Sequence, residues 1–135
     1  MIFIDSNIFM YAAGSPTAHR KPCQEFLKKL INSGSAAQYF TSVEVLQEIL
    51  HRYRSISLAD EAYSLLDNIL QLGITILPIE IEDIMLARKL LEDLNNLPTR
   101  DGIHAAVAIR KNISVIASFD KNFDQISGIR RFEPS

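Results

Sequence analysis

The 135-residue sequence has a single cysteine, no long hydrophobic run and no excess of basic charge. Cys23 has no second cysteine to pair with, so an intrachain disulfide is excluded. No stretch approaches the roughly 20 consecutive apolar residues that a membrane-spanning helix needs. The first five residues, MIFID, lack the basic leader of a secretory signal. These features predict one globular domain, residues 1–135, in the cytoplasm.

Several common catalytic patterns are also absent. There is no Walker loop and no G-x-G-x-x-G, so nucleotide cofactors lack a phosphate-binding loop. The three histidines, His19, His51 and His104, form no H-x-H or H-E-x-x-H pattern, and with one cysteine a structural zinc site is not expected. Ser6 and Ser118 lack the strand–turn–helix motif of a serine nucleophile.

What the sequence does contain is short apolar runs that alternate with helical periodicity. The runs predict strands at 2–4, 39–41, 74–77 and 114–119, with an edge strand at 129–132. The periodic segments predict helices at about 7–13, 22–33, 43–53, 62–70, 81–94 and 99–110. Short, continuously apolar strands that alternate with amphipathic helices are typical of a parallel sheet covered on both faces. We therefore predict an α/β fold, a three-layer α/β/α sandwich with a central, mainly parallel sheet of four to five strands.

Four acidic residues fall at one edge of this predicted sheet. Asp5 ends the first strand and Asp120 follows the fourth, while Asp101 opens a helix and Glu48 lies about two turns into another. Sites in open parallel sheets form beyond the carboxyl ends of the strands, and helices packed on such a sheet begin at that edge. The four carboxylates are therefore expected to converge.

Each acid also has a purely structural interpretation. Asp5 and Asp120 are suitable N-caps for the segments that follow them, and Asp101 in a first helical turn favours the helix dipole. Glu48 has Arg52 four residues later, which is the spacing of an exposed helical ion pair. A single shared site explains the convergence of the four acids better than four unrelated structural roles do.

Glu48 has to be distinguished from Glu44, one turn earlier on the same helix. Thr41-Ser42-Val43-Glu44 matches a capping box, in which a Thr N-cap and a Glu three residues later satisfy each other's backbone donors. We therefore expect Glu44 to cap the helix and Glu48 to reach the acidic cluster. A site made of carboxylates alone selects hard cations such as Mg²⁺ or Mn²⁺.

The net charge does not decide what such a site acts on. At −2 it at first argues against a nucleic-acid partner. Without the four candidate acids, however, the remaining residues carry +2, and a bound cation can reverse the local field.

The segments around these acids resemble the PIN-domain family. IFIDSNI at 2–8 is similar to the start of that fold, and TSVEVLQEI at 41–49 is similar to its second motif, with the acid at Glu48. TRDGIHAA at 99–106 and SFDKNF at 118–123 are similar to the third and fourth motifs. The resemblance covers nearly the whole chain, and four motifs in order are specific where each alone is weak.

This resemblance implies a metal-dependent endoribonuclease, in particular a VapC-like toxin of a toxin–antitoxin pair that acts on RNA, forms a homodimer and is inhibited by a small VapB-like antitoxin. Carried over by position, Asp5, Glu48, Asp101 and Asp120 are the metal-binding and catalytic acids. Ser6 and Asn7 are supporting polar residues beside Asp5. Asn122 stands where many relatives have a second aspartate, which leaves the number of metal ions open, with Asp124 as a possible substitute ligand.

Three other functions remain open from the residues. A phosphoryl-accepting receiver domain needs paired acids after the first strand, but Asp5 is followed by Ser6 and Asn7. An aspartyl phosphatase needs Asp-x-Asp, and residue 7 is Asn. A PIN-like module that binds RNA or protein without cutting is disfavoured by the presence of all four acids.

Overall fold

A five-stranded parallel sheet forms the centre of the molecule in the computed structural model, which describes all 135 residues. The strands are β1 (Ile2–Ile4), β2 (Tyr39–Ser42), β3 (Thr75–Leu77), β4 (Val115–Ala117) and β5 (Arg130–Phe132). Their order across the sheet is β3-β2-β1-β4-β5, and every neighbouring pair is parallel. The sequence-based prediction of a parallel sheet of four to five strands is confirmed.

Six α-helices provide the crossover connections that parallel strands require. They are α1 (Ser6–Ala13), α2 (Arg20–Asn32), α3 (Val43–Ser55), α4 (Ala59–Gln71), α5 (Ile81–Asp93) and α6 (Thr99–Arg110). All six were predicted, and with the sheet they form the predicted three-layer α/β/α sandwich. Of two short 3₁₀ helices, Lys121–Gln125 begins where Asp120 was considered as an N-cap, and Asp120 does cap it, whereas Ala36–Gln38 was not predicted because a single turn has no periodic signal. None of the helices is long and apolar enough to cross a membrane.

The hydrophobic core lies on and around the central strand. Phe3 and Ile4 of β1 are completely buried. Ile116 of β4, which is paired with Phe3, is completely buried as well. Helices cover both faces of the sheet at β1, which explains why its sequence is continuously apolar. Gly102 allows α6 to approach α5 closely, because a β-carbon there would lie 3.1 Å from Leu91 Cδ2.

The predicted capping box at the start of α3 is wrong. Thr41 lies within β2, where its buried hydroxyl donates to the Ile4 carbonyl at 2.9 Å. Ser42 is the N-cap instead, and its hydroxyl accepts from the Val45 N–H. Glu44 forms an ion pair with Arg100, at 3.4 Å. Pairing of Ser42 with Leu77 of β3 extends β2 by one residue, which a local capping pattern does not reveal.

The strand register places the polar residues that follow β1 and β4 side by side. Ile4 is paired with Ala117, and the Asp5 N–H donates to the Ala117 carbonyl at 3.0 Å. Asp5 and Ser118 are therefore adjacent at the carboxyl edge of the sheet. This edge is the expected position of the site.

Candidate metal centre

Asp5 is the most extensively hydrogen-bonded of the four predicted acids and is only 3 % exposed. Its Oδ1 accepts from the Ser6 N–H at 2.7 Å, and its Oδ2 accepts from Ser118 Oγ at 2.6 Å and from Asn7 Nδ2 at 3.3 Å. Burial raises the pKa of Asp5, although the charge of His104 and the Ser118 hydrogen bond oppose that rise. Neutral donors thus fix the orientation of this carboxylate without cancelling its charge.

Ser6 and Asn7, predicted as supporting residues, both contact Asp5. The Ser6 hydroxyl lies 3.4 Å from Asp5 Oδ1. Asn7 Nδ2 also donates to Ser118 Oγ at 3.1 Å. Ser118 was considered in the sequence only as a nucleophile, whereas in the structure it donates to Asp5 and accepts from the Asp120 N–H at 2.9 Å. Its position at the end of β4, next to β1, is the signal that predicts this role.

Glu48 reaches the same centre through His104, a residue that sequence patterns did not select. His104 Nε2 lies 3.1 Å from Glu48 Oε1 and 3.8 Å from Asp5 Oδ1. One potential ligand atom from each of these three residues lies within 4.8 Å of the other two. His104 follows Asp101 by three residues, so both lie on one face of α6. That helical spacing, rather than a histidine motif, is the signal in the sequence.

The surroundings of His104 indicate which ring nitrogen carries its proton. Nδ1 is buried without a hydrogen-bond partner, so the proton of a neutral ring belongs on Nε2, where it donates to Glu48. Burial lowers the pKa of His104, but the Glu48 hydrogen bond and the nearby acidic charges outweigh it and raise the pKa overall. Burial also raises the pKa of Glu48, yet the hydrogen bond and charge of His104 leave it lowered.

Asp101 and Asp120 form the second half of the centre. The pKa of Asp101 is raised to about 7 by burial, by a hydrogen bond and charge from Asp120, and by the charge of Asp5. Asn122 Nδ2 donates to Asp101 Oδ2 at 3.4 Å, and the Asn122 N–H donates to Asp120 Oδ1 at 2.9 Å. Asn122 therefore contributes a neutral amide at a position where an aspartate would add another negative charge.

The donor set fits a divalent cation. No lysine or arginine forms an ion pair with Asp5, Asp101 or Asp120, although Asp5 and Asp101 are buried. A divalent cation would offset the cost of keeping several buried carboxylates ionised side by side. Carboxylate oxygens are the ligands of hard divalent cations, and a single imidazole is compatible with several of them.

Asp124, predicted as a substitute ligand, has another partner. Its two carboxylate oxygens accept from Arg131 Nε at 2.8 Å and from Arg131 Nη2 at 3.2 Å. Arg131 Nη1 also donates to the Ser118 carbonyl at 3.2 Å. The structure therefore does not support Asp124 as a ligand, because this two-pronged ion pair occupies both of its oxygens.

Comparison with known proteins agrees with this geometry. The family model named PIN domain matches residues 2–129. The chain belongs to the PIN domain family. Among curated PIN-domain relatives, Ribonuclease VapC13 of Mycobacterium tuberculosis is 37 % identical over 131 residues, which is 97 % of this chain and 98 % of the relative. Ribonuclease VapC23 of M. tuberculosis is 34 % identical, with 89 % and 93 % covered.

Solved structures share the PIN fold at lower sequence identity. VapC20 of M. tuberculosis, described as a sarcin-ricin loop cleaving toxin, superposes with a TM-score of 0.75 at 18 % identity, covering 92 % of this chain and 93 % of VapC20. VapBC2 of Rickettsia felis, solved with a promoter DNA fragment, gives 0.76 at 20 % identity, with 98 % of each chain covered.

We expect Asp101→Asn to stabilise the metal-free PIN domain in a pH-dependent way. The folded pKa of Asp101 is raised, so its carboxyl is neutral in both folded and unfolded chains below about pH 4 and costs nothing there. As the pH rises through about 7, the folded state must ionise beside Asp120 and Asp5, and stability falls.

The asparagine variant should therefore melt higher by roughly 3 to 8 °C near pH 8.5 and by little near pH 4, in calorimetry with EDTA. Asp67→Asn, an exposed change on α4, is the control. Equal melting temperatures at high pH would show that the acids do not repel each other.

A second prediction concerns His104 as a positioning residue for Glu48. His104→Leu keeps an apolar side chain in the buried space but removes the Nε2–H donor, so Glu48 loses its orientation. We expect Mn²⁺ affinity, measured by isothermal titration calorimetry, to fall about 10- to 100-fold. His104→Gln keeps a hydrogen-bond donor, so its Mn²⁺ affinity should fall less.

Replacement of the exposed His51 by Leu should leave metal affinity unchanged. A folded His104→Leu variant with wild-type Mn²⁺ affinity would contradict the assignment.

Proposed function

We propose that this PIN domain, residues 1–135, is a metal-dependent endoribonuclease that hydrolyses RNA phosphodiesters. The observation that carries the proposal is the convergence of Asp5, Glu48, Asp101 and Asp120 at one sheet edge, where no lysine or arginine pairs with Asp5, Asp101 or Asp120 and His104 lies 3.8 Å from Asp5. The curated relatives that cover nearly the whole chain are named ribonucleases, which supports the same reaction.

The four acids are the proposed metal ligands, and Mg²⁺ or Mn²⁺ is the proposed ion because hard oxygen donors predominate. A bound ion supplies activation of water and neutralisation of the charge that develops on the phosphate. The protein's own contribution is to hold its carboxylates in place. Ser118 and Asn7 orient Asp5, and His104 orients Glu48. Asn122 supports Asp101 through an amide that adds no charge.

We further propose that the protein is the toxin of a VapBC-type toxin–antitoxin pair in the cytoplasm, with a VapB-like antitoxin and a homodimeric state. The relatives carry the name VapC, and structural neighbours include a VapBC protein and a toxin–antitoxin complex from Klebsiella pneumoniae. The alternative is a PIN module that binds RNA without cutting it. Such a module would have the same fold, but binding alone would not require four intact acids.

The central prediction is that RNA cleavage depends on a divalent metal and on the acidic cluster. Cleavage of single-stranded RNA, followed on denaturing gels, should stop in EDTA and return when excess Mg²⁺ or Mn²⁺ is added. Asp5→Asn keeps the size and polarity of the side chain but removes a ligand charge, so we expect at least about 100-fold slower cleavage.

The matched control is Asp67→Asn, on the exposed face of α4, which should cut at the wild-type rate. Cleavage that persists in excess chelator would overturn the metal-dependent mechanism. A folded wild-type protein that binds RNA and never cuts it would favour the non-cleaving module.

The toxin proposal predicts an effect in living cells. Expression of the wild-type chain should slow bacterial growth, because cleavage of cellular RNA blocks protein synthesis. Asp5→Asn should relieve that effect, and so should co-expression of a small protein encoded next to this gene. Growth curves at matched expression levels test both arms. Equal growth of wild type and Asp5→Asn would count against a toxin.

A further inference from the structure

A cavity of about 350 Å³ opens beside the metal centre, between α1 and the last turn of α3. Its α1 wall is made by residues spaced three and four apart, which form one face of that helix. The α3 wall contributes a cation, a phenol ring and an exposed aliphatic side chain. The principal lining residues are Asn7, Met10, Tyr11, Gly14, Arg52, Tyr53 and Ile56.

Asn7 belongs both to the wall of the cavity and to the metal centre. The Asn7 amide donates to Asp5 Oδ2, and the same side chain lines the cavity. Its Oδ1 accepts from the backbone N–H of Phe119, the residue before Asp120. The cavity therefore lies next to the metal centre, with the Asn7 side chain between the two.

Arg52 supplies positive charge to this cavity. It follows Glu48 by four residues, so it lies one helical turn, roughly 5 to 6 Å, along the same face of α3. Glu48 is bound to His104, and no carboxylate in the protein forms an ion pair with the exposed Arg52 side chain. An unpaired guanidinium one turn from the metal centre is suited to a neighbouring phosphate.

Aromatic side chains supply the other property that a nucleotide needs. Tyr11 and Tyr53 both line the cavity and both are partly buried. Two aromatic side chains hold the Tyr11 ring in place. Its centroid lies 4.8 Å from that of His19 and 5.5 Å from that of Phe119, both in edge-to-face contacts. A ring held in this way gives a base a fixed surface on which to stack.

We propose that this cavity binds one nucleotide of single-stranded RNA, next to the phosphodiester at the metal centre, with Arg52 contacting its phosphate and Tyr11 and Tyr53 its base. The inference rests on the proposed ribonuclease function. A volume of about 350 Å³ is at the small end for ligand pockets and matches one nucleotide rather than a folded segment. The adjoining cavity carries Asp60 and Glu61 with a single cation, Arg20, and this net negative lining disfavours extension of a polyanion in that direction.

The test measures RNA affinity in variants of the full chain. All carry Asp5→Asn so that a fluorescently labelled single-stranded RNA stays intact during anisotropy titrations. Arg52→Ala should weaken binding about 10-fold, through loss of a charged phosphate contact. Tyr11→Leu preserves apolar volume but removes the ring and should weaken binding about 5- to 20-fold, whereas Tyr11→Phe keeps the ring and should bind like the parent.

Arg54→Ala is the matched control, because Arg54 lies two residues along α3 in a separate depression with His51. It should stay within about twofold of the parent. In chains with Asp5 restored, Arg52→Ala should raise KM for RNA cleavage and leave kcat within about threefold, since the cavity binds RNA away from the reacting atoms. Thiouridine placed next to the cut site should cross-link to Tyr11 or Tyr53.

The other outcomes overturn the inference and separate it from the proposed function. If the wild-type chain cuts RNA while Arg52→Ala and Tyr11→Leu bind it normally, the nucleotide site is wrong and the ribonuclease stands. If these variants lose affinity only for an antitoxin and not for RNA, the cavity is a protein-binding site. If the wild-type chain neither binds nor cuts RNA, both proposals fail.

Discussion

Electrostatic repulsion among buried carboxylates is the constraint on which the rest of this structure depends. Burial, a hydrogen bond and charge from Asp120, and the charge of Asp5 together raise the pKa of Asp101 to about 7. The fold does not relieve this repulsion with lysine or arginine. It uses neutral donors, namely Ser118 and Asn7 on Asp5 and Asn122 on Asp101, together with one histidine, His104, beside Glu48 and Asp5. Because four carboxylates surround a single histidine, the centre has the donor set that suits a divalent cation.

Parallel strand pairing is what brings these residues together. Pairing of Ile4 with Ala117 sets Asp5 beside Ser118, although they are more than a hundred residues apart in sequence. The helices begin at the same edge, so Glu48 and Asp101 approach from two different helices. Two of the acids also have a local structural role, since Asp5 caps α1 and Asp120 caps the 3₁₀ helix that follows it. Local structure and metal binding therefore make compatible demands on the same side chains.

The sequence was sufficient for the fold and for the convergence of the acids, because both follow from apolar periodicity and from the geometry of parallel sheets. The sequence was less informative about side chains whose partners come from distant segments of the chain. The hydroxyl of Thr41 bonds Ile4 rather than capping α3, and Asp124 pairs with Arg131 rather than extending the site. Sequence patterns did not identify His104, because a single histidine in a helix forms no motif. Its contact with Glu48 is made only in the folded structure.

The position of β4 in the sheet has a consequence for the protein while it is being made. Strands β1 and β2 belong to the first 42 residues, yet β1 has β4 as its other neighbour, and β4 begins only at Val115. A ribosome-bound chain thus carries Asp5 and Glu48 long before Ser118, His104 and Asp120 exist to complete their surroundings. The acidic centre is assembled late in synthesis, so the nascent polypeptide has no functional centre beside the ribosome that is making it.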